Sequence, residues 1–148
     1  MKKLLSIICA ALSLAVIFAF AGCSDNAKSD FVGEWECYSI TEFNREDSLT
    51  YDVPAEVCIL TVNKNGTFKA AGTYENEYYD IVSGNWTQDG ETVKVSNVIF
   101  GEGIADNDGG SLLTFIFTDS DHVTLKINVE INEDEDSGIG SSYHLKKR

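Results

Sequence analysis

The segment HVTLKINVEIN (residues 122–132) decides the fold, because apolar and polar residues alternate along it without interruption. Successive side chains of an extended strand point to opposite faces, so one face of this segment would be apolar and the other polar. That pattern is typical of an antiparallel sheet that buries one face and exposes the other to water. The apolar face would carry Val123, Leu125, Ile127, Val129 and Ile131.

The same period of two predicts a first strand over Val32–Phe43. Its outward face would carry Glu34, Glu36 and Glu42. Strict alternation then directs the residues between them toward the core. That inward face would consist of Trp35, Cys37, Ser39, Thr41 and Phe43.

Six further segments alternate in a similar way, which brings the predicted total to eight strands. The turns Asn63–Gly66 and Gln88–Gly90 favour tight hairpins, and hence antiparallel pairing of successive strands. We predict an all-β fold, an eight-stranded antiparallel up-and-down barrel, with a two-sheet sandwich as the alternative. The six segments are Glu56–Asn63, Thr67–Glu75, Tyr78–Trp86, Glu91–Asn97, Ser111–Thr118 and Gly140–Lys146.

The N-terminus resembles the signal peptide of bacterial lipoproteins. Two lysines precede the apolar run Leu4–Phe20, and two small residues stand directly before Cys23, the residue that such a signal would have lipidated. Phe20 occupies a position where that motif usually has leucine, and a transmembrane anchor is the alternative interpretation. We predict residues 1–22 as signal peptide, 23–30 as lipidated tether and 31–148 as one domain, held on the extracytoplasmic side of a bacterial membrane.

Charge limits the partners of this domain. With Lys2 and Lys3 removed, nine basic residues remain against 24 acidic ones, a formal net charge of −15. Nucleic acid would be repelled by this surface, because its phosphates need basic contacts. A basic protein would be attracted, although an acidic surface also serves simply to keep an exported protein soluble. We expect a monomer.

Two cysteines, Cys37 and Cys58, remain within the predicted domain. Both fall on inward positions of neighbouring strands, so they could form a cross-strand disulfide in an exported protein. The equal alternative is a pair of buried free thiols.

Three short motifs resemble the lipocalin superfamily. They are the Gly-x-Trp opening at Gly33–Trp35, the strand-turn-strand pattern Leu60–Phe68, and the segment from Ser83 to Val95. The resemblance implies that Trp35 closes one end of the barrel beneath a basic residue of the last strand, for which Lys146 is the candidate. Within this sequence we predict no counterpart of the C-terminal helix of larger lipocalins.

A barrel of eight strands is filled by side chains or holds one small ligand. Small or polar residues at inward positions predict where a ligand cavity would lie, and two aromatic residues would form its walls. The alternative is ordinary packing, in which large residues opposite fill the space left by small ones. The predicted cavity residues are Ser39, Thr41, Ala70, Gly72 and Gly84, and the walls are Tyr74 and Trp86.

No catalytic, cofactor or metal site is predicted. His122 falls on the outward face of its strand, and His144 alternates with an inward pair, so neither suits catalysis or haem binding. The segment Asp106–Gly109 is similar to the start of a calcium loop, but no glutamate follows at the required distance. The acidic run Glu133–Asp136 has the simpler interpretation of a hydrophilic loop.

These observations predict a non-enzymatic surface lipoprotein that binds a small apolar or amphipathic molecule in or at the mouth of its barrel. The alternative is a protein-interaction module that binds or inhibits a cationic envelope enzyme such as a lysozyme through Glu133–Asp136. Three long connections would carry such contacts, because loops on a rigid scaffold commonly carry function. They are Asn44–Ala55, Val98–Gly110 and Asn132–Ile139.

Substitution Cys23→Ala tests the anchor. The variant should leave the membrane fraction and lose the added mass of its acyl chains, because each buried methylene contributes about 0.8 kcal/mol to membrane binding. Fractionation with mass spectrometry measures both. Continued membrane retention of a protein without lipid mass would contradict the prediction.

Overall fold

The computed structural model describes residues 30–44, 46–90, 92–105, 111–129 and 139–148. Nine strands account for most of these residues, and one turn of 3-10 helix, Ala55–Val57, lies between the second and third strands. The strands are β1 (Gly33–Phe43), β2 (Ser48–Asp52), β3 (Ile59–Val62), β4 (Thr67–Tyr74), β5 (Glu77–Asp89), β6 (Thr92–Phe100), β7 (Ser111–Phe117), β8 (His122–Val129) and β9 (Ile139–Lys147).

All pairings are antiparallel, and eight strands follow one another in the order β6-β5-β4-β3-β1-β9-β8-β7. The first strand thus pairs with the last, which curls the sheet into a lipocalin-like up-and-down barrel. Among the described residues no ladder joins β6 to β7, so the barrel is nearly closed. The predicted all-β barrel is confirmed. No helix in these parts of the chain is long and apolar enough to cross a membrane.

Strand β2 lies within the segment Asn44–Ala55, which alternation alone predicted as a loop. It pairs with the second half of β1, whereas β3 pairs with the first half. The two short strands therefore succeed each other along the same edge of β1, with the 3-10 turn between them. All five residues of β2 are exposed, so it carries no apolar alternation that a sequence pattern could detect.

A β-bulge in β1 changes which residues face the core. Cys37 lies opposite Leu145 of β9, and Ser39 lies opposite the next residue, His144, so Tyr38 is an extra residue. One extra residue reverses the alternation beyond it. Strict alternation placed Thr41 and Phe43 inside, and this is wrong.

Beyond the bulge, Ile40 and Glu42 lie opposite Tyr143 and Ser141, two residues on the inward side of β9. Phe43 instead lies outside, where the Lys126 Nζ is 4.9 Å from its ring centre. Between the bulge and the end of β1, the barrel interior is thus lined by different side chains from those that the sequence predicted.

Aromatic side chains close one end of the barrel. Phe31, which precedes β1, is 1% exposed, and its ring lies 4.8 Å from that of Phe115 and 5.3 Å from those of Trp86 and Phe117. The Trp35 indole N–H donates to the Phe31 carbonyl at 2.9 Å, which fixes the entering chain against the barrel. We call this the closed end.

The two cysteines of the domain are buried free thiols, Cys37 on β1 and Cys58 directly before β3. The Cys37 backbone N–H donates to the Cys58 carbonyl at 2.9 Å, so the two residues continue the β1–β3 ladder. Burial raises the pKa of the Cys37 thiol to about 11 and also raises the pKa of Cys58, which keeps both protonated near neutral pH.

Substitution Phe31→Ala should destabilise the domain by about 3 kcal/mol or more, because it empties a fully packed aromatic site. Leu112→Ala is the control, since Leu112 is 56% exposed and its truncation should cost well under half as much. Urea denaturation measures both free energies of unfolding. Equal losses would contradict the role given to Phe31.

Stability should fall as the pH rises from about 9 through 11. In the unfolded chain the thiols ionise near their ordinary pKa, whereas in the folded domain Cys37 stays protonated until about pH 11. Each such thiol contributes a slope of about 1.4 kcal/mol per pH unit in that window. Urea denaturation under reducing conditions should show a shallower slope for the double variant Cys37→Ala/Cys58→Ala; an unchanged slope would contradict this cause.

Candidate functional site: the mouth cavity

The barrel end opposite Phe31 contains a cavity of about 590 Å³, which we call the mouth cavity. Its floor is apolar and aromatic, and its residues come from β1, β2, β4, β5, β9 and the connections beside them. The lining residues are Ile40, Glu42, Tyr51, Asp52, Val53, Pro54, Glu56, Val57, Thr73, Tyr74, Glu75, Tyr79, Ile104, Ser141 and Tyr143.

Glu42 lines this cavity because the bulge in β1 turns it away from the outer face. Its register partner on β9 is Ser141, which also lines the cavity. The Tyr51 hydroxyl donates to the Glu42 Oε1 at 2.8 Å. Burial, followed by this neighbouring carboxylate, raises the pKa of Tyr51 to about 12, so the hydroxyl remains a donor at neutral pH.

Two further tyrosines form the deeper part of the cavity. The Tyr79 hydroxyl donates to the Val57 carbonyl at 2.6 Å, which ties β5 to the 3-10 turn. The Tyr143 side chain is 9% exposed and lines the cavity. Burial raises the pKa of both phenols. Tyr143 therefore offers a neutral phenol to whatever occupies the cavity.

A second hollow of about 710 Å³ adjoins the first and shares Glu42, Ile104 and Ser141 with it. It lies between the β1–β2 connection and the ends of β8 and β9. Ile104, from the segment after β6, lines both hollows. The mouth is thus one wide depression in which Glu42 occupies a central position.

Of the seven residues predicted to form a ligand cavity, only Tyr74 lines the mouth cavity. Thr41 lies outside, because the bulge reverses its direction, and its hydroxyl is 2.8 Å from the His144 Nε2. Ser39 is buried at the bulge itself, and Ala70 is buried in the core. These three positions therefore leave no space for a ligand.

The remaining three predicted residues are also packed. A Cβ at Gly72 would overlap the Val57 carbonyl, and one at Gly84 would come within 3.0 Å of the Phe68 ring. Trp86 lies at the closed end, where its indole N–H donates to the Asn63 carbonyl at 3.1 Å. The predicted cavity against β4 and β5 is thus occupied by protein.

The basic residue over Trp35 is Lys147, and the prediction of Lys146 is wrong. The Lys147 Nζ is 5.2 Å from the Trp35 ring centre and donates to the Asp30 carbonyl. Lys146 lies on the alternate face, where its Nζ is 3.3 Å from the Glu36 Oε1. The register of β9 against β1, which sequence does not reveal, decides between the two lysines.

Both histidines belong to the outer face. The His144 Nε2 and Nδ1 lie 2.8 and 3.1 Å from the hydroxyls of Thr41 and Thr124, and the His122 Nδ1 lies 2.9 Å from the Asp119 carboxylate. These contacts hold the imidazoles in a polar network on the outer face of the sheet, the face opposite to the one that lines the mouth cavity.

Two acidic segments singled out in the sequence, Asp106–Gly109 and Glu133–Asp136, lie outside the described residues. Within the described ranges, no three Asp, Glu, His or Cys side chains lie close enough together to hold a metal ion. The carboxylates of the mouth are therefore too dispersed to act as a chelating set.

No protein-family model matches this chain, and no curated protein sequence matches it significantly.

Substitution Gly72→Ala should destabilise the domain by about 2 kcal/mol or more, because the new methyl group would overlap backbone that cannot move freely. Ala71→Ser, which adds one atom on the outward side of the same strand, is the matched control and should change stability by less than about 0.5 kcal/mol. Thermal and urea denaturation measure the difference. A tolerated Gly72→Ala would contradict the packing described for this position.

Proposed function

We propose that this protein is a non-enzymatic lipoprotein that binds a small amphipathic molecule in the mouth cavity. The observation that carries the proposal is the contrast between the two ends of one barrel. Aromatic rings fill the closed end, whereas a hollow of about 590 Å³ with an apolar floor lies at the other. That volume lies within the usual range for small-molecule sites, about 300–1,000 Å³.

The composition of the walls also supports an amphipathic ligand. Ile40, Val57 and the rings of Tyr79 and Tyr143 would cover an apolar body. Polar groups such as the Glu42 carboxylate and the Tyr143 hydroxyl would orient a polar end. Most small-molecule sites combine these two features, an apolar enclosure and a few placed polar groups.

The proposed anchor agrees with this arrangement. The chain enters the barrel through Asp30 and Phe31 at the closed end, and Cys23 precedes Asp30 by only seven residues. Seven extended residues span about 23 Å at most. A lipidated Cys23 would hold the closed end near the membrane and leave the mouth directed toward the surroundings.

Binding of a basic protein is the second candidate, and the dispersed carboxylates of the mouth favour it. Five of them line the two hollows: Glu42, Asp47, Asp52, Glu56 and Glu75. Charge complementarity of this kind accelerates association with a cationic partner such as a lysozyme. A complex that forms at low ionic strength and dissociates at high ionic strength would favour this function.

Binding of N-phenyl-1-naphthylamine, a neutral dye that fluoresces in apolar surroundings, tests the ligand-binding function. The mature domain should bind it, and Ser141→Phe should weaken binding about tenfold or more by filling the cavity. Thr114→Phe, on the exposed outer face of β7, is the matched control.

Equal dye affinity in the Ser141 and Thr114 variants would contradict binding in the mouth cavity, and so would a wild-type domain that binds no dye. Native mass spectrometry of the purified domain gives an independent measurement, because it detects any small molecule retained from the cell.

A further inference from the structure

We propose that the ligand of the mouth cavity is an organic cation, an amphiphile with an ammonium group at its polar end. This inference rests on the proposed ligand-binding function and names the chemical class of the ligand. The juxtaposition that carries it is an apolar, tyrosine-walled cavity whose charged lining groups, among the residues that the structure describes, are all carboxylates.

The charges of the lining are all of one sign. Four carboxylates line the mouth cavity itself, and among the fifteen described lining residues there is no Lys, Arg or His. Glu42 is central, because it lines both hollows and offers one carboxylate oxygen beyond the one that accepts from Tyr51. The other three are Asp52, Glu56 and Glu75.

Two lysines among the described residues near the mouth make contacts elsewhere. The Lys126 Nζ lies 4.9 Å from the centre of the Phe43 ring, and the Lys69 Nζ lies 2.7 Å from the Asp80 carboxylate beside a separate groove on the outer face. Neither lysine lines the mouth cavity. An anionic ligand such as a fatty-acid carboxylate would therefore meet repulsion from these carboxylates, and the described lining offers it no basic side chain.

The deep wall contributes the phenol of Tyr143. This side chain is nine-tenths buried and lines the cavity, and a phenolic oxygen is a group that can accept a hydrogen bond from an ammonium N–H. Its ring and that of Tyr79 offer aromatic faces, which attract cations through the ring quadrupole. These two features favour a cation independently of the carboxylates.

An organic ammonium fits this arrangement better than a metal ion does. Calcium requires six to eight oxygen ligands in a single shell, and no three metal-binding side chains come together in the described residues. An ammonium group needs one or two acceptors, and its apolar body would occupy the space between the tyrosines.

Calorimetric titration of the mature domain with three octyl compounds tests the inference. Octylammonium, octan-1-ol and octanoate share the same chain and differ in charge at neutral pH. Octylammonium should bind about fivefold or more tightly than octanol, and octanoate should bind least. Glu42→Gln should reduce the advantage of octylammonium over octanol, while Glu34→Gln, at the closed end of the same strand, should preserve it.

Each result is decisive. Equal affinity for all three compounds, or an octylammonium advantage that Glu42→Gln leaves intact, would overturn the cation inference while the ligand-binding function stands. Binding of none of them, together with no binding of the naphthylamine dye, would overturn the proposed function itself. Circular dichroism checks that the Glu42 variant folds. We expect that it does, because Glu42 is an exposed residue of the mouth.

Discussion

The bulge at Tyr38 is the constraint on which the mouth end of this barrel depends. Two residues of β1, Tyr38 and Ser39, face the single residue His144 of β9. Before the bulge, β1 directs Trp35 and Cys37 into a packed core. After the bulge, it directs Ile40 and Glu42 into the mouth. A regular strand would have placed Thr41 there and left Glu42 in solvent. The bulge thus determines both the shape and the charge of the candidate site.

The two ends of the barrel divide stability and binding between them. Phe31, Trp35, Trp86 and Lys147 form a packed end that a ligand cannot enter, and the proposed tether enters there. The short strand β2 and the described residues just after β6 lie at the other end, where Tyr51 and Ile104 complete the cavity. A rigid scaffold with variable loops at one end is a common basis for recognition.

The fold could be predicted because its strands alternate strongly, as β8 does from His122 to Val129. The candidate site could not be predicted, because it depends on interruptions of that alternation. One residue did signal the bulge. Strict alternation places Ile40 on the outer face with Glu34, Glu36 and Glu42, and an apolar residue among these acidic ones indicates that the inward–outward alternation of the strand shifts by one residue there. Strand β2 gave no signal, since all its residues are exposed. The choice of Lys147 over Lys146 depends on the strand register, which follows from tertiary contacts.

Nuclear Overhauser effects in the mature domain test the reversed alternation of β1 most directly. We expect effects between the Glu42 side chain and the Tyr51 ring, and between the Thr41 methyl group and the His144 ring, because these pairs make hydrogen bonds of 2.8 Å. Effects between the Thr41 methyl group and the Tyr51 ring, with none from Glu42, would contradict the reversed alternation.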